Sequence, residues 1–445
     1  MNKENQWTSK LGFILAAAGS AIGLGAIWKF PYMAGTNGGG IFFLIFLLLT
    51  CFIGAPILIA EFAIGRKAQT DAVSAYRKLT PNSLWHWLGY GGVAVSFIIL
   101  SFYSVVGGWI LSYLGRGLMG SLTSTSDYDS LFSNIISNPV EAVMSQLIFI
   151  VMTILVVQAG VQQGIERASK YMMPALFILF IVLVIRSLTL EGAYEGVKFL
   201  LYPDFSEITA ETILYALGQS FFALSVGLSV MVTYASYLSK QENIVKSAFS
   251  VVGLNIFISL LAGLVIFPAV FALGFEPGAG PGLVFVVLPA VFNEMAFGGL
   301  FFTIFLILLL FATLTSAFSM LEIVVAVIVK ENKSKRKMVS WLAGILVFIV
   351  GIPSALSFGV LSEVKIAGKT IFDFADFITS NIGMPLGALL ISLYIGYRLP
   401  RRLVKEELEL GTNGIGVLFD IWYFLIRYIV PVGILLVFFH SIGLF

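Results

Sequence analysis

Gly19-Ser-Ala-Ile-Gly-Leu-Gly-Ala-Ile-Trp-Lys-Phe-Pro31 sits inside an apolar run that begins near Leu11 and reads as a membrane-spanning helix. Three glycines, a lysine and a proline are costly there. In a helix interior glycine costs about 1 kcal/mol and proline about 3 kcal/mol relative to alanine. A lysine at the bilayer centre costs roughly 2.5–3.5 kcal/mol on insertion scales. Irregular backbone at membrane depth persists only where it is buried in protein or lines a water-filled cavity. The stretch therefore reads as a site built for something small and polar.

The rest of the chain fits that setting. Its 445 residues are 59% hydrophobic and 11% charged, with mean hydropathy +0.98, against about 25% charged in soluble domains. The fold class is all-α polytopic membrane protein, since a β-barrel alternates weakly over about ten residues per strand. A formal charge of +2 gives no sign of a nucleic-acid partner. The single cysteine, Cys51, excludes an internal disulfide and reads as packing. Lys3 and Lys10 before an apolar stretch imitate a signal peptide, but the run continues into Lys29-Phe-Pro31 and further spans follow, so it reads as uncleaved.

Eleven spans are expected, at 11–36, 40–65, 87–118, 142–159, 166–186, 209–238, 242–273, 299–329, 339–358, 371–397 and 415–443. The third and eighth are long enough to tilt or extend beyond the bilayer. With a cytoplasmic N-terminus, the inner segments collect Lys3, Lys10, Arg66, Lys67, Arg77, Lys78, Arg167, Lys170, Lys240 and Lys246. Lys330, Lys333, Lys335, Arg336, Lys337, Arg398, Arg401, Arg402 and Lys405 join them, which satisfies the positive-inside rule. An odd span count then puts the C-terminus outside, in a multi-pass protein of the cell membrane. The apolar stretch Leu283–Phe292 is too short to cross and reads as a re-entrant cap.

A weak internal symmetry is visible. Span one is interrupted at Gly23-Leu-Gly25 and span six at Ser225-Val-Gly227, five spans apart and so with opposite topology. Paired interruptions of this kind point to a midplane site in inverted-repeat transporters. The chain reads as one transporter domain, 1–445, with repeats at 11–186 and 209–397 and an extra helix at 415–443.

At this point the chain resembles a neurotransmitter:sodium symporter of the bacterial amino-acid branch. The resemblance rests on Trp7, Gly19-Ser-Ala-Ile-Gly-Leu-Gly25, Lys29-Phe-Pro31, Asn37-Gly-Gly-Gly40, Glu61, Gly65-Arg66 and Tyr103. Gly218-Gln-Ser-Phe-Phe222, Thr233-Tyr-Ala-Ser-Tyr237, Asn255 and Phe311-Ala-Thr-Leu-Thr-Ser316 complete it. Eleven spans and an apolar pocket make it most similar to the multi-hydrophobic amino acid transporters of that branch. The implied fold is leucine-transporter-like, with broken helices one and six. The implied activity is sodium-driven symport of hydrophobic L-amino acids by alternating access, with no enzymatic step.

The resemblance implies site residues position by position. Broken helices expose N–H groups and positive dipole ends, so the N–H groups of Leu24 and Gly25, with the Tyr103 hydroxyl, are expected to take the substrate carboxylate. Carbonyls of Ala21 and Phe222 and the Ser225 hydroxyl are expected to take the amine. Ser20, Ala223, Ile99, Val106, Leu228, Ser316 and the adaptable Met320 complete a roomy pocket for aliphatic and also aromatic side chains. One sodium site matches fully: carbonyls of Gly19, Ile22 and Ala312 with hydroxyls of Thr315 and Ser316. The other is degraded, because Ala26 and Ala223 stand where the family has asparagine and threonine. Asn255 and the carbonyls of Ala21 and Ala223 remain there. Losing one sodium would cut accumulation roughly 40-fold at 100 mV, since one charge is then worth about 2.3 kcal/mol. Chloride is not expected, with Phe46 and Ala223 where chloride-dependent members carry hydroxyls.

Gates follow from the same comparison. Lys29 is expected to pair with Asp376 on the outer side, as a point charge in place of an arginine fork. On the inner side stand Trp7 and Tyr237, with a charge-swapped pair of Glu4 and Lys330. Gly164 and Pro174 resemble a device that unwinds helix five to let water in. The partners implied are a small amino acid and the lipid bilayer, with no obligate protein partner. His86 and His440 are isolated and read as structural. Two other readings stay open: an amino-acid sensor without turnover, and a uniporter or proton-coupled carrier on the same fold.

Overall fold

The computed structural model describes residues 6–124, 127–275, 280–330, 332–412, 414 and 416–441. Among these, nine unbroken helices are long and apolar enough to cross a membrane. They are Gly40–Ala68, His86–Leu118, Pro139–Gln158, Val161–Leu188, Ile244–Ala272, Gly298–Val329, Arg336–Ala355, Ile371–Arg398 and Gly416–His440. These are spans two to five and seven to eleven. Span one is the pair Lys10–Ala21 and Gly25–Thr36, bent by 52°. Span six is the pair Ala210–Leu224 and Val230–Ser236, each half too short to cross alone. The expected eleven spans are thus nine continuous helices and two broken ones.

The breaks have different backbone causes. Ile22 leaves the helical region at φ −86, ψ 71, and Leu24 restarts it. In span six, Ser225 and Ser229 adopt positive φ (52 and 56) and Gly227 adopts φ 86. Positive φ at a non-glycine residue is strained and needs outside support. Span two supplies it: the Gly227 N–H donates to Glu61 Oε1 at 2.7 Å. Tyr76, on the short helix Ala72–Leu79, bonds Ser229 Oγ at 3.0 Å. Span ten closes in so tightly that a Cβ on Gly227 would lie 2.3 Å from the Met384 carbonyl.

Several ends differ from expectation for visible reasons. Span four starts at Pro139 because Asn138 caps it, accepting from the N–H groups of Val140 and Glu141. Span nine starts at Arg336, whose side chain is drawn into an ion pair with Glu322, and ends at Ala355. The stretch Leu283–Phe292 makes a tight turn and the short helix Val287–Asn293, burying Leu283, Val284 and Phe285. Phe285 stacks on Phe132, and its carbonyl accepts from the Tyr113 hydroxyl at 2.7 Å.

At the end carrying the basic loops, a fully buried arginine fastens three segments. Arg66 Nε bonds Glu407 Oε1 at 2.6 Å, and its remaining nitrogens donate to the carbonyls of Glu242 and Glu407. Glu407 lies on the amphipathic helix Arg401–Glu409, which buries Val404 and Leu408. Removing one partner of a buried pair costs about 3–5 kcal/mol because the other is left uncompensated. Arg66→Ala is therefore expected to lower stability by about that amount, read as a lowered midpoint of thermal unfolding in detergent. Lys67 also pairs with Glu407, at 3.7 Å and partly exposed, but makes none of the hydrogen bonds through which Arg66 holds Glu407 and the Glu242 carbonyl. A midpoint equal to that of the unsubstituted protein would overturn this account.

Candidate functional site

The two breaks face each other at the centre of the bundle. The Ser225 hydroxyl donates to the Ser20 carbonyl at 3.0 Å, and Gln219 Nε2 donates to the Gly25 carbonyl at 2.7 Å. Between them lies a cavity lined by Ser20, Ala21, Leu24, Gly25, Ile99, Tyr103, Phe222, Ser225, Leu228, Ser316 and Met320, all expected from sequence. Gly23, Val230, Ser319 and Met384 also line it and were not expected. The Leu24 N–H donates to the Tyr103 hydroxyl at 3.3 Å, so the two groups expected to share a carboxylate already sit together.

Two expected wall residues stand elsewhere. Val106 is a turn further along span three and lines the neighbouring cavity instead. Ala223 is buried behind the break, packed with Phe30, Phe42, Phe46 and Phe267. The pocket is also tighter than expected, at about 30 Å³, closer to the space of one water than of a leucine side chain. Phe222, Met320 and Met384 occupy the room that the small residues leave.

Beside the pocket, oxygens converge without any carboxylate. Thr315 Oγ1 lies 2.9 Å from the Gly19 carbonyl and 3.0 Å from that of Ala312. Ser316 Oγ lies 3.2 Å from the Gly19 carbonyl and 3.0 Å from that of Ser20. Ile22 sits at the break itself, where the helix no longer claims its carbonyl. A neutral cage of hard oxygens suits a monovalent cation. Among the described residues no cluster of three or more His, Cys, Asp or Glu side chains offers a divalent site.

The degraded site has a different chemistry. Asn255 Nδ2 donates to the carbonyls of Ala223 (2.7 Å) and Ala21 (3.3 Å), so an amide proton stands between them. Its Oδ1 is buried without a partner, as is Gln219 Oε1. Turning the Asn255 amide over would present three oxygens to a cation. The Ala26 methyl adds nothing. For an anion the arrangement is poor: Asn255 and Gln219 point their N–H donors at carbonyls, and the Ser259 hydroxyl donates to the Asn255 carbonyl at 3.0 Å. Phe46 packs on Phe30 at 5.1 Å between ring centres.

Toward the end opposite the basic loops, a cavity of about 240 Å³ holds Trp28, Lys29, Tyr32, Val106, Phe222 and Asp376. The expected Lys29–Asp376 ion pair is not formed. Lys29 Nζ lies 4.4 Å over the Phe222 ring, a cation–π contact. Asp376 Oδ1 accepts from the Ser380 hydroxyl at 2.7 Å. A lysine is a single point charge, and here the aromatic face satisfies it better than the carboxylate across the cavity.

The basic end is sealed by aromatics around the buried carboxylate of Glu322. Trp7 Nε1 donates to the Tyr234 carbonyl at 2.9 Å, and the Trp7 N–H donates to the Tyr237 carbonyl at 3.2 Å. The Tyr237 hydroxyl donates to Glu322 Oε1 at 2.8 Å. Glu322, fully buried on span eight, takes both terminal nitrogens of Arg336, whose Nε and Nη2 also donate to the Val157 carbonyl of span four. The expected partner Lys330 instead ends span eight in an exposed, positive-φ position with no ion pair among the described residues. Glu4 lies outside the described residues. A second buried acid, Glu166, pairs with Lys170 at 2.8 Å and accepts from Thr8 N–H and hydroxyl. Gly164 lies in the wide π-helical turn Val161–Glu166 that opens span five, and Pro174 lies inside the α-helix that follows.

Glu322 carries a signal in sequence, since an acid within an apolar span is a functional candidate by default. Ser319 is one turn from Ser316 and was findable by helical spacing. Met384 reaches the pocket from span ten, and nothing local announces it.

Comparison with known proteins gives a consistent picture. The sequence pattern of the sodium:neurotransmitter symporter family matches residues 4–134 and 132–445. The sodium-dependent transporter YhdH of Bacillus subtilis (strain 168) is 57% identical over 444 residues, 99% of this chain and 98% of that protein. A sodium-dependent transporter of Haemophilus influenzae is 37% identical over 460 residues, 99% of each chain. Among solved structures, MhsT in complex with L-phenylalanine matches with a TM-score of 0.91 at 46% identity, covering 98% of this chain and 99% of that one.

Proposed function

The chain belongs to the sodium:neurotransmitter symporter family, and from that premise we propose that it imports hydrophobic L-amino acids with sodium by alternating access. It is a multi-pass membrane transporter with the leucine-transporter-like fold. The observation that carries the finer reading is the meeting of Leu24 N–H, the Tyr103 hydroxyl and the Ser225 hydroxyl at two facing helix breaks. N–H groups and a half-helix N-terminus favour a carboxylate. The freed carbonyls of Ala21 and Phe222 favour an ammonium. The bound phenylalanine of the similar structure supports an apolar side chain between Ile99, Phe222, Leu228 and Met320.

Sodium is cargo in this scheme and its gradient supplies the driving force. Gly19, Ile22, Ala312, Thr315 and Ser316 hold one ion. Ala21, Ala223 and Asn255, completed by the substrate carboxylate, hold a second more weakly once the Asn255 amide has turned. The leftover buried groups there are acceptors, which favours chloride independence. The repeats 11–186 and 209–397 make spans one and six the moving pair against spans three, four, eight and nine. The N-terminus faces the cytoplasm and the C-terminus the outside, on the distribution of basic residues.

Uptake into proteoliposomes, with an amino-acid panel and with and without an inward sodium gradient, tests the reading. Accumulation of leucine or phenylalanine only with sodium is expected, unchanged when gluconate replaces chloride. Binding without uptake would indicate a sensor, and sodium-independent uptake a uniporter or proton-coupled carrier. A Hill coefficient for sodium of about two supports the second ion, and about one removes it.

A further inference from the structure

Spans ten and eleven both widen into π-helical turns where they meet at the basic end, over Tyr394–Arg398 and Leu425–Ile429. Such turns are rare and recur at functional sites. The two helices approach so closely there that a Cβ on Gly396 would lie 3.2 Å from the Arg427 Cα. Two tyrosines tie the crossing reciprocally. The Tyr423 hydroxyl donates to the Gly396 carbonyl and the Tyr397 hydroxyl to the Arg427 carbonyl, each at 3.0 Å.

The crossing sets an arginine on a face that meets lipid. Arg427 lies level with the last turn of span ten, and its guanidinium packs 4.7 Å over the Tyr397 ring and 5.4 Å over that of Tyr428. Both rings are about half exposed, and Phe424 and Ile429 beside them are exposed too. A guanidinium is planar: the rings take its face, and its N–H donors point outward along its edge. That edge is not satisfied. Arg427 Nε is buried without a partner. Among the described residues neither Arg427 nor the exposed Arg398 has an ion pair, because the acids of the adjoining segment are taken. Arg401 holds Asp420, Arg402 holds Glu406, Arg66 holds Glu407 and Lys405 holds Glu409.

An ionisable side chain on a spanning helix calls for a partner, and here the surrounding lipid can supply one. The two free oxygens of a phosphodiester match the guanidinium fork bidentately. Basic residues at the end of a spanning helix favour anionic lipid. We propose that Arg427 and Arg398, walled by Tyr397 and Tyr428, bind the phosphate of an anionic phospholipid at the basic end. The lipid completes the crossing of spans ten and eleven. The site rests only on the chain's spanning the membrane, whatever its substrate.

The test uses the full chain in a neutral detergent and follows the midpoint of thermal unfolding as lipid is added. Dioleoylphosphatidylglycerol is expected to raise the midpoint saturably. Dioleoylphosphatidylcholine, whose choline brings its own cation, and inorganic phosphate are not expected to do so at equal concentration. In Arg427→Gln the half-saturating concentration of the phosphatidylglycerol is expected to rise at least about tenfold, the range of a hydrogen bond to a charged group. Following the concentration keeps lost binding apart from lost packing on Tyr397, which lowers the midpoint alone. Arg398→Gln, at an exposed position, is expected to raise it roughly three- to tenfold. Lys337→Gln removes an exposed charge at the start of span nine and is expected to leave it unchanged. No shift with phosphatidylglycerol, or an equal shift with phosphatidylcholine or inorganic phosphate, overturns the anionic lipid. An unchanged half-saturating concentration in the two arginine variants, or an equal rise in Lys337→Gln, overturns the site.

Discussion

Replacing Gly23 by alanine abolishes sodium-driven uptake, with a loss of at least about 100-fold expected. The added Cβ would stand 2.3 Å from Ser316 Oγ and 2.7 Å from the Tyr103 hydroxyl oxygen. Neither neighbour can simply give way. Ser316 Oγ is held by the carbonyls of Gly19 and Ser20, and Tyr103 is held by Leu24 N–H inside a buried stretch of span three. Overpacking of this kind costs about 1–3 kcal/mol. Losing a hydrogen bond to a charged group costs about 1.5–3 kcal/mol, and each 1.4 kcal/mol is tenfold. One methyl group thus disturbs a proposed sodium ligand and a proposed carboxylate ligand together. Single variants separate them: Ser316→Ala raises the sodium concentration for half-maximal uptake, and Tyr103→Phe raises the KM for the amino acid. Gly91→Ala is the control, since a Cβ there meets nothing within 4 Å. Uptake by Gly23→Ala within tenfold of the unsubstituted protein would show that these hydroxyls do not act where they stand.

What could be read from sequence was whatever leaves a local chemical trace. Glycines, lysine and proline in an apolar run betray the break in span one, and the run lengths give the continuous helices. Span six hides its break better, because Ser225 and Ser229 take positive φ without being glycine, and the reason lies in Glu61 and Tyr76 far away in sequence. Side-chain partners across the bundle were least legible. Lys29 and Asp376 line one cavity, yet the lysine settles on the Phe222 ring, a choice of partner that spacing in the sequence does not encode. Val106 follows Tyr103 by one turn on the same helix and still opens into the next cavity. At the basic end the sequence suggests an acid near Trp7, Glu4, paired with a cation at the end of span eight, Lys330. The acid is instead Glu322, more than two turns before Lys330, and its cation comes from the start of span nine.

Glu322→Gln is expected to reduce uptake by more than about tenfold and to open the basic end. Arg336 and the Val157 carbonyl belong to spans nine and four, in the proposed scaffold, whereas Tyr237 follows the second half of span six, which is proposed to move. Glu322 is therefore the joint between the two parts. Neutralising it leaves the Arg336 guanidinium without its counter-charge in a mostly buried place, at a cost of about 3–5 kcal/mol. Opening the basic end lets water reach that charge and recovers part of the cost, so the equilibrium shifts toward the open form. The readout is labelling of a cysteine at Ser236, buried in the sealed form, by a membrane-impermeant thiol reagent in a Cys51→Ala background. Faster labelling than with Glu322 present is expected, and equal rates would overturn the assignment. A paired substitution separates sealing from folding. Glu322→Leu with Arg336→Met removes both charges and should restore thermal stability, since apolar replacement of a buried pair is often neutral or stabilising. Labelling should nevertheless stay fast, because the Tyr237 hydroxyl has lost the acceptor that tied the moving half-helix to the scaffold.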